Sequence, residues 1–541
     1  MRMFRIVCVV SVMTAILFSH RVIAQEKACV GSTQQEKELL SGARKVLNVN
    51  WMPEMNSTLP SANLYPHQWS WDSAFIAFGY AHYDIVKAKE EMRSLFRAQW
   101  KNGLVPHIVF NPQTSGSYFP GPKYWKTSTS PNAVHDPETT GIVQPAVHAI
   151  AVLKTYEASG DIEYLKEMFP LLKKWHDYLY RERDIHGEHL VFVRHPWETG
   201  MDNAPSWDDA FNRIELKEGD VPPYKRADNK HSDVDASDRP TDFYYDRYVY
   251  LMKIFYDNNY DEAQIAAKCP YLIQDVLFNT ILSKAEDTLA DIAVLIGKPS
   301  AEFRTRAEKT RTAILEKMWN AEDAAFYDYD LYSDEVIKKR IGGAMAGIYG
   351  VTLPKNDMKN FLAVLDSEEA MGRLGNQTGF PLPTMLTNEE TYMPNNYWRG
   401  PVWININYMV IEGLLSYGTE EALETAQYLF KKTLDLVQVG GFFEYFSALD
   451  ASPHGGGDFS WTASLVVDMI CDPDKHERLT AANADSKGSE VLYFSGLTIS
   501  VLIGGLTVAV IRKRLRGGQR VPASDAAESM DSMLQNSDPE Y

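Results

Sequence analysis

The sequence predicts an all-α fold in which a single closed helical toroid occupies most of the chain. Three observations predict it. Between residues 30 and 471, about a dozen segments carry apolar residues at helical spacing, with little strand-like alternation. Short Gly- or Pro-bearing turns join these segments into pairs, as between Thr280–Gly297 and Ala301–Trp319, or Val402–Tyr417 and Glu420–Val439. No linker of shifted composition divides the stretch. The pairs recur without a fixed sequence period, which argues against a regular solenoid.

Taken in order, the first element lies outside the toroid. Arg2 and Arg5, an apolar run from Ile6 to Phe18 and the small-residue site Val22-Ile23-Ala24 have the layout of a cleavable secretory signal over 1–24. The toroid follows over 25–471, and Asp472–Glu490 reads as a polar stalk. Val491–Ile511 holds 21 consecutive residues without a charge. At 1.5 Å per residue that is about 31 Å, enough to cross a bilayer core. Arg512, Lys513, Arg514 and Arg516 follow at once, placing a tail over 512–541 in the cytoplasm by positive-inside bias. The expected topology is a type I membrane protein of the secretory pathway, its body lumenal or extracellular. Two glycosylation sequons begin at Asn56 and Asn376. Cys29, Cys269 and Cys471 remain after the signal, room for one disulfide and one free thiol but no disulfide scaffold.

Charge narrows the function. The 541 residues carry 72 acidic and 54 basic side chains, a formal net charge of −18, and removing the signal leaves the body more acidic still. General nucleic-acid binding needs the opposite footprint. Aromatic residues make up 12% of the chain, with 12 tryptophans, and seven of these fall in four loop clusters. Three long loops, 103–140, 184–241 and 371–401, interrupt the helices, and loops of that length in a compact body are usually functional. The clusters are YPHQWSWDSAF at Tyr65–Phe75, HPWETGMDNAPSWD at His195–Asp208, MPNNYWRGPVW at Met393–Trp403, and GFFEYFSALD at Gly441–Asp450 followed by GGGDFSW at Gly455–Trp461. Aromatic faces beside carboxylates, amides and arginine are what a carbohydrate site requires.

Glycoside hydrolysis needs two carboxyl groups, one protonated and one ionised, across the scissile bond. Glu198, Asp202, Asp208, Glu444 and Asp450 all qualify by residue type, and their spacing does not choose among them. Asp72 and Asp208 serve equally well as helix caps. An anionic aglycone would want a basic receptor, for which Arg399, Arg226, Lys225 and His107 are candidates, with Arg399 equally suited to an internal ion pair. Five aspartates between Asp228 and Asp242 lack EF-hand spacing and read as a solvated loop before a calcium site. There is no HExxH, paired CxxC, P-loop or dinucleotide glycine fingerprint, so no metal or organic cofactor is implied.

The four clusters together resemble glycoside hydrolase family 63, and more closely its short members of the mannosylglycerate hydrolase type, over roughly 35–471. The resemblance implies an (α/α)6 barrel and hydrolysis of an α-glycosidic bond with inversion. It matches Asp202 to the general acid and Glu444 to the general base, and it puts Trp71, Asp72, Gln144, Trp398 and Trp403 at the sugar subsite. Tyr65, Trp69, Trp197, Glu198, Gly200, Trp207, Tyr397, Arg399 and Trp461, drawn from the clusters, complete the expected lining. Glu198 could raise the pKa of Asp202 or bind a hydroxyl. The chain has no room for the β-rich N-terminal domain of the large processing glucosidases, and its membrane segment departs from the short bacterial members. The substrate stays open between α-mannosides and α-glucosides, glycerate conjugates among them, or longer oligosaccharides and glycans. The rival class is a membrane-anchored carbohydrate-binding protein on an inactive hydrolase scaffold.

Overall fold

The computed structural model describes residues 29–114, 118–226, 239–375 and 378–481. The expected signal, membrane segment and tail, the sequon at Asn376 and most of the aspartate-rich run lie outside the described residues. Among the described residues no helix is long and apolar enough to cross a membrane.

Twelve helices, labelled α1–α12 in chain order, form two concentric rings. The inner ring consists of α2 (Ser70–Tyr80), α4 (His148–Ser159), α6 (Val276–Leu295), α8 (Gly342–Met345, continued as a 3-10 turn over Ala346–Tyr349), α10 (Ile404–Tyr417) and α12 (Ser460–Cys471). The outer ring consists of α1 (Gln34–Asn50), α3 (Ile85–Arg97), α5 (Ile162–Glu182), α7 (Ala301–Lys317), α9 (Lys355–Leu365) and α11 (Glu420–Gly440). Each inner helix touches the next, and α12 packs against α2 to close the ring. This is the (α/α)6 architecture.

Composition sorts the two rings. Every residue of α2 is buried, and α10 and α12 are nearly as enclosed, because these segments are apolar around their whole circumference and have no face for water. The outer helices bury one stripe only; α1 buries Leu39, Leu40, Ala43, Val46 and Leu47 at helical spacing. Caps fix where they begin and end. The Thr33 side chain accepts the Glu36 N–H at 3.1 Å while Glu36 accepts the Thr33 N–H at 3.0 Å, a reciprocal capping box. Asp275 accepts the Phe278 N–H at 2.5 Å, so α6 starts four residues before the hydrophobic periodicity suggests.

The seam between α2 and α12 is tight. The Gly79 N–H donates to Ser464 Oγ at 2.8 Å, and that hydroxyl donates to the Phe75 carbonyl at 2.7 Å. A Cβ on Gly79 would lie 2.4 Å from Ser464 Oγ and 2.8 Å from its Cα. Next to the seam, Cys29 and Cys471 form a disulfide spanning 442 residues, and Cys269 is a buried free thiol. One boundary is corrected. The stalk expected from Asp472 begins instead as a helix, Pro473–Thr480, capped by Asp472 and seated against α11 and α12, so the packed body runs to Ala481.

Gly79→Ala is expected to destabilise the protein by about 1–3 kcal/mol, the usual cost of forcing extra atoms into a packed contact. Its midpoint in denaturant-induced unfolding checks this.

Candidate active site

The N-terminal ends of α2, α10 and α12 open onto one cavity, whose walls come from the long loops between helices. It encloses about 690 Å³, counted out to its mouth. Two carboxyls on separate loops face it. Asp202 follows the short helix Pro196–Thr199, which His195 caps by accepting the Trp197 N–H at 3.1 Å. The loop turns at Gly200, φ +77°, where a Cβ would lie 2.4 Å from the Trp71 ring, so only glycine fits. Thr199 Oγ1 accepts the Met201 N–H at 2.8 Å, and Tyr248 donates its hydroxyl to the Asp202 carbonyl at 2.7 Å. The Asp202 backbone is therefore held on both sides.

Glu444 comes from a hairpin, Phe443–Phe446 paired with Pro453–Gly457, whose register shifts between Phe443 and Tyr445. A register shift of this kind re-aims a side chain, here Glu444. Tyr65 donates its hydroxyl to Glu444 Oε1 at 2.8 Å, and the Gly456 N–H donates to Oε2 at 2.9 Å. Arg239 Nη1 stands 4.0 Å from Oε1 and donates to the Tyr65 hydroxyl at 3.1 Å.

These surroundings divide the carboxyls. Burial pushes Asp202 up to about 7, opposed by Arg239 and reinforced by the charge of Glu444. Burial also raises Glu444, but Arg239, Gly456 and Tyr65 pull it back toward the ionised form. Asp72, in the first turn of α2 and not its cap, is held well above the usual carboxylate range by burial and then by Glu444.

The remaining wall is aromatic. Trp398 and Trp403 stack with centroids 3.6 Å apart, Tyr445 stacks on Trp403, and Trp461 meets Trp71 edge-on. Thirteen of the sixteen catalytic and sugar-lining residues expected from sequence line the cavity: Tyr65, Trp69, Trp71, Asp72, Gln144, Trp197, Gly200, Asp202, Tyr397, Trp398, Trp403, Glu444 and Trp461.

Three expected lining residues stand behind the wall instead. Glu198 is wholly buried in ion pairs, accepting from Arg183 at 3.0 Å through both oxygens and from the Arg194 N–H at 2.7 Å. Those arginines hold it below its ordinary pKa against the pull of burial, and it does not line the cavity. Trp207 is a core residue whose indole N–H donates to the Met201 carbonyl at 2.7 Å. Arg399 pairs both nitrogens with Asp208, at 2.9 and 2.7 Å, which removes Asp208 from the carboxyl candidates as well. Asp450 is exposed beside the hairpin, away from the cavity.

The expected basic receptors also move. Lys225 is exposed, and Arg226 lies over the Tyr245 ring while pairing with Asp242. His107 lines the cavity, but burial lowers it to about 3, so it is neutral. Among the described residues, the cation at the cavity is Arg239, which sequence reasoning missed. Its signal was faint, a single arginine before Pro240 at the end of an acidic loop. Tyr245 was missed too, although Tyr245 and Tyr248 sit three apart on the helix Asp242–Asp257. Among the described residues no group of His, Cys, Asp and Glu has the clustering a metal ion needs.

Glu198→Gln is expected to cost roughly 3 kcal/mol or more, because it leaves Arg183 and Arg194 buried with too little compensating charge. Urea denaturation of the purified variant measures this, and a change within about 0.5 kcal/mol would contradict it.

The sequence profile of the mannosylglycerate hydrolase MGH1-like glycoside hydrolase domain matches residues 65–462. The mannosylglycerate hydrolase of Rubrobacter radiotolerans is 43% identical over 438 residues, covering 80% of this chain and 97% of that protein. The glucosylglycerate hydrolase of Mycolicibacterium hassiacum is 32% identical over 80% of this chain and 98% of its own length. The crystal structure of the family 63 mannosylglycerate hydrolase from Thermus thermophilus, in complex with Tris and D-glycerate, superposes with a TM-score of 0.72 at 35% identity, covering 80% of this chain and 99% of that one.

Proposed function

The chain belongs to the mannosylglycerate hydrolase MGH1-like family of glycoside hydrolases, and from that premise we propose that it cleaves an α-glycosidic bond with inversion of configuration. The observation that carries the reading is the unequal treatment of two buried carboxyls on one aromatic cavity. Glu444 is gripped by two hydrogen-bond donors with a guanidinium beside it, whereas burial favours the proton on Asp202. Asp202 is accordingly the general acid, giving its proton to the leaving oxygen. Glu444 is the general base, taking a proton from the water that attacks the anomeric carbon from the opposite face.

The stacked Trp398 and Trp403, with Trp71 and Trp461, offer faces for the C–H surfaces of the sugar, and Asp72 and Gln144 offer polar atoms for its hydroxyls. The substrate we propose is a small α-mannoside or α-glucoside of an anionic aglycone such as glycerate. Arg239 supports this as the one arginine or lysine lining the described cavity, and the relatives named for mannosylglycerate and glucosylglycerate support it by similarity. We also propose a secretory-pathway location with a C-terminal membrane anchor; the signal-like segment, the uncharged run at 491–511 and the Cys29–Cys471 disulfide support it, since such bonds persist in oxidising compartments.

Asp202→Asn and Glu444→Gln are each expected to lower kcat by about 10²–10⁴-fold or more while leaving the unfolding midpoint near that of the unaltered protein. Near-normal turnover by either variant would remove the assignment. NMR of the first product should show the β-anomer released from an α-glycoside; an α-anomer would refute inversion. A panel of α-mannosides and α-glucosides, with and without a carboxylate aglycone, tests the substrate class.

The pH profile follows from the acid. Asp202 acts in its protonated form, and its raised pKa keeps that form populated up to about 7. The kcat/KM should therefore hold up to about pH 7 and fall about tenfold per pH unit above it. A basic limb starting below pH 5 would contradict the assignment.

A further inference from the structure

Glu444 is positioned through its carboxyl, by Tyr65 and Gly456, whereas Asp202 is positioned through its backbone. The difference has a chemical reason. A general acid must aim its O–H at the leaving oxygen, and a protein acceptor on that proton would hold it back. The residues on either side of Asp202 are secured on their own account. The Met201 carbonyl accepts the Trp207 indole N–H at 2.7 Å and the Ala204 N–H at 3.1 Å. The Asn203 side chain joins the Asn396 side chain at 2.7 Å and the Trp398 N–H at 3.0 Å. Among the described residues, one group holds the Asp202 carbonyl between them: the Tyr248 hydroxyl, at 2.7 Å.

Tyr248 is itself immobile. It lies on the helix Asp242–Asp257, wholly buried, with its ring against His195, Trp197 and Phe211. It stands behind the cavity wall and is not part of the lining. Burial keeps the phenol well above its ordinary pKa, so it donates as a neutral O–H. Residues 244, 247 and 248 share one face of the helix, and all three bond the segment that begins at Asp202. Tyr244 donates to Asp208 at 2.6 Å, and Arg247 donates to the Phe211 and Ile214 carbonyls at 2.7 and 3.2 Å. Of these bonds, the one from Tyr248 reaches the acid's own residue.

We propose that Tyr248 is a positioning residue for the general acid: its hydroxyl fixes the Asp202–Asn203 peptide plane, and with it the direction in which the Asp202 side chain leaves the backbone. Without that bond the peptide can turn and the carboxyl swings with the Cα–Cβ bond. A misplacement of about 1 Å costs on the order of 10²-fold in rate. The loss falls on proton donation, because the attacking water depends on Glu444 and the sugar rests on other side chains. This rests on the acid–base reading above.

The test compares two leaving groups on the full protein, on Tyr248→Phe and on Asp202→Asn. One substrate is whichever of mannosylglycerate and glucosylglycerate the unaltered enzyme hydrolyses. The other is the matching α-glycosyl fluoride, whose fluoride departs with little need of a proton. Tyr248→Phe should lose about tenfold or more in kcat on the glycerate conjugate, and its loss on the fluoride should be at least about fivefold smaller. Asp202→Asn should show the same bias more strongly. A crystal structure of Tyr248→Phe should show the Asp202 carboxyl displaced or divided between positions, with Trp71 and Trp403 in place; this decides the matter if the unaltered enzyme does not accept the fluoride. Equal losses on the two substrates, an unchanged kcat, an undisplaced Asp202 or a variant that does not fold would each overturn the positioning role. Asp202→Asn without the bias would instead remove Asp202 as the acid. Failure of the unaltered enzyme to hydrolyse either conjugate would remove the hydrolase reading and the positioning role with it.

Discussion

Asp202, Glu198 and Glu444 are all carboxyls taken out of water, and the ways in which that cost is met organise the rest of the site. A buried carboxylate without partners is unstable by several kcal/mol, so it must either keep its proton or be surrounded by donors and cations. Glu198 takes the second course completely, with Arg183 and Arg194, and becomes a fixed post under the loop that carries Asp202. Glu444 takes it in part, through Tyr65, Gly456 and the nearby Arg239. Asp202 lies close enough to Arg239 to feel it, yet burial prevails and favours the proton. Three acids of nearly equal intrinsic strength are thereby shifted differently, Glu198 downward and Asp202 and Glu444 upward, with Glu444 pulled back by its donors.

The two rings explain how such groups can be held so firmly. The inner helices α2, α10 and α12 have almost no solvent face, so their N-terminal ends and the loops leading into them are fixed by packing. Gly200 passes under Trp71, and Gly455, at φ +70°, leaves room for Glu444, where a Cβ would lie 2.3 Å from Oε2. Both loops run where a side chain would collide with a cavity residue, Trp71 for one and Glu444 for the other. Arg399 does for loop against loop what caps do for helices, joining Asp208 and the Asn203 carbonyl to the segment that carries Tyr397 and Trp398.

Much of this was legible in the sequence because periodicity and clustering are local. The outer helices showed their stripes, and the tryptophan-rich clusters did converge on one cavity. What was not legible depended on distance in space. Glu198 and Asp202 differ by four positions in one motif, and only the packing of Arg183 and Arg194 decides that one points into the core and the other into the cavity. Trp207 carried the same signal as Trp197 yet fills the core, because type and neighbours do not say which way a ring turns. Arg239 stood alone among acidic residues, where a cation looks like charge balance, and its meaning lay in Tyr65 and Glu444, both far away along the chain.

The closure of the inner ring has a consequence for how the protein is made. The apolar face of α1 is covered by α12 and α11, the last ring helices to be synthesised. At translation rates of about 5–20 residues per second, α1 waits on the order of tens of seconds for those partners. Through that interval Leu39, Leu40, Val46 and Leu47 have no permanent cover. The nascent chain therefore carries an unfinished surface for nearly all of its synthesis, and whatever shields α1 from neighbouring chains during that time governs how much of the protein reaches the closed state.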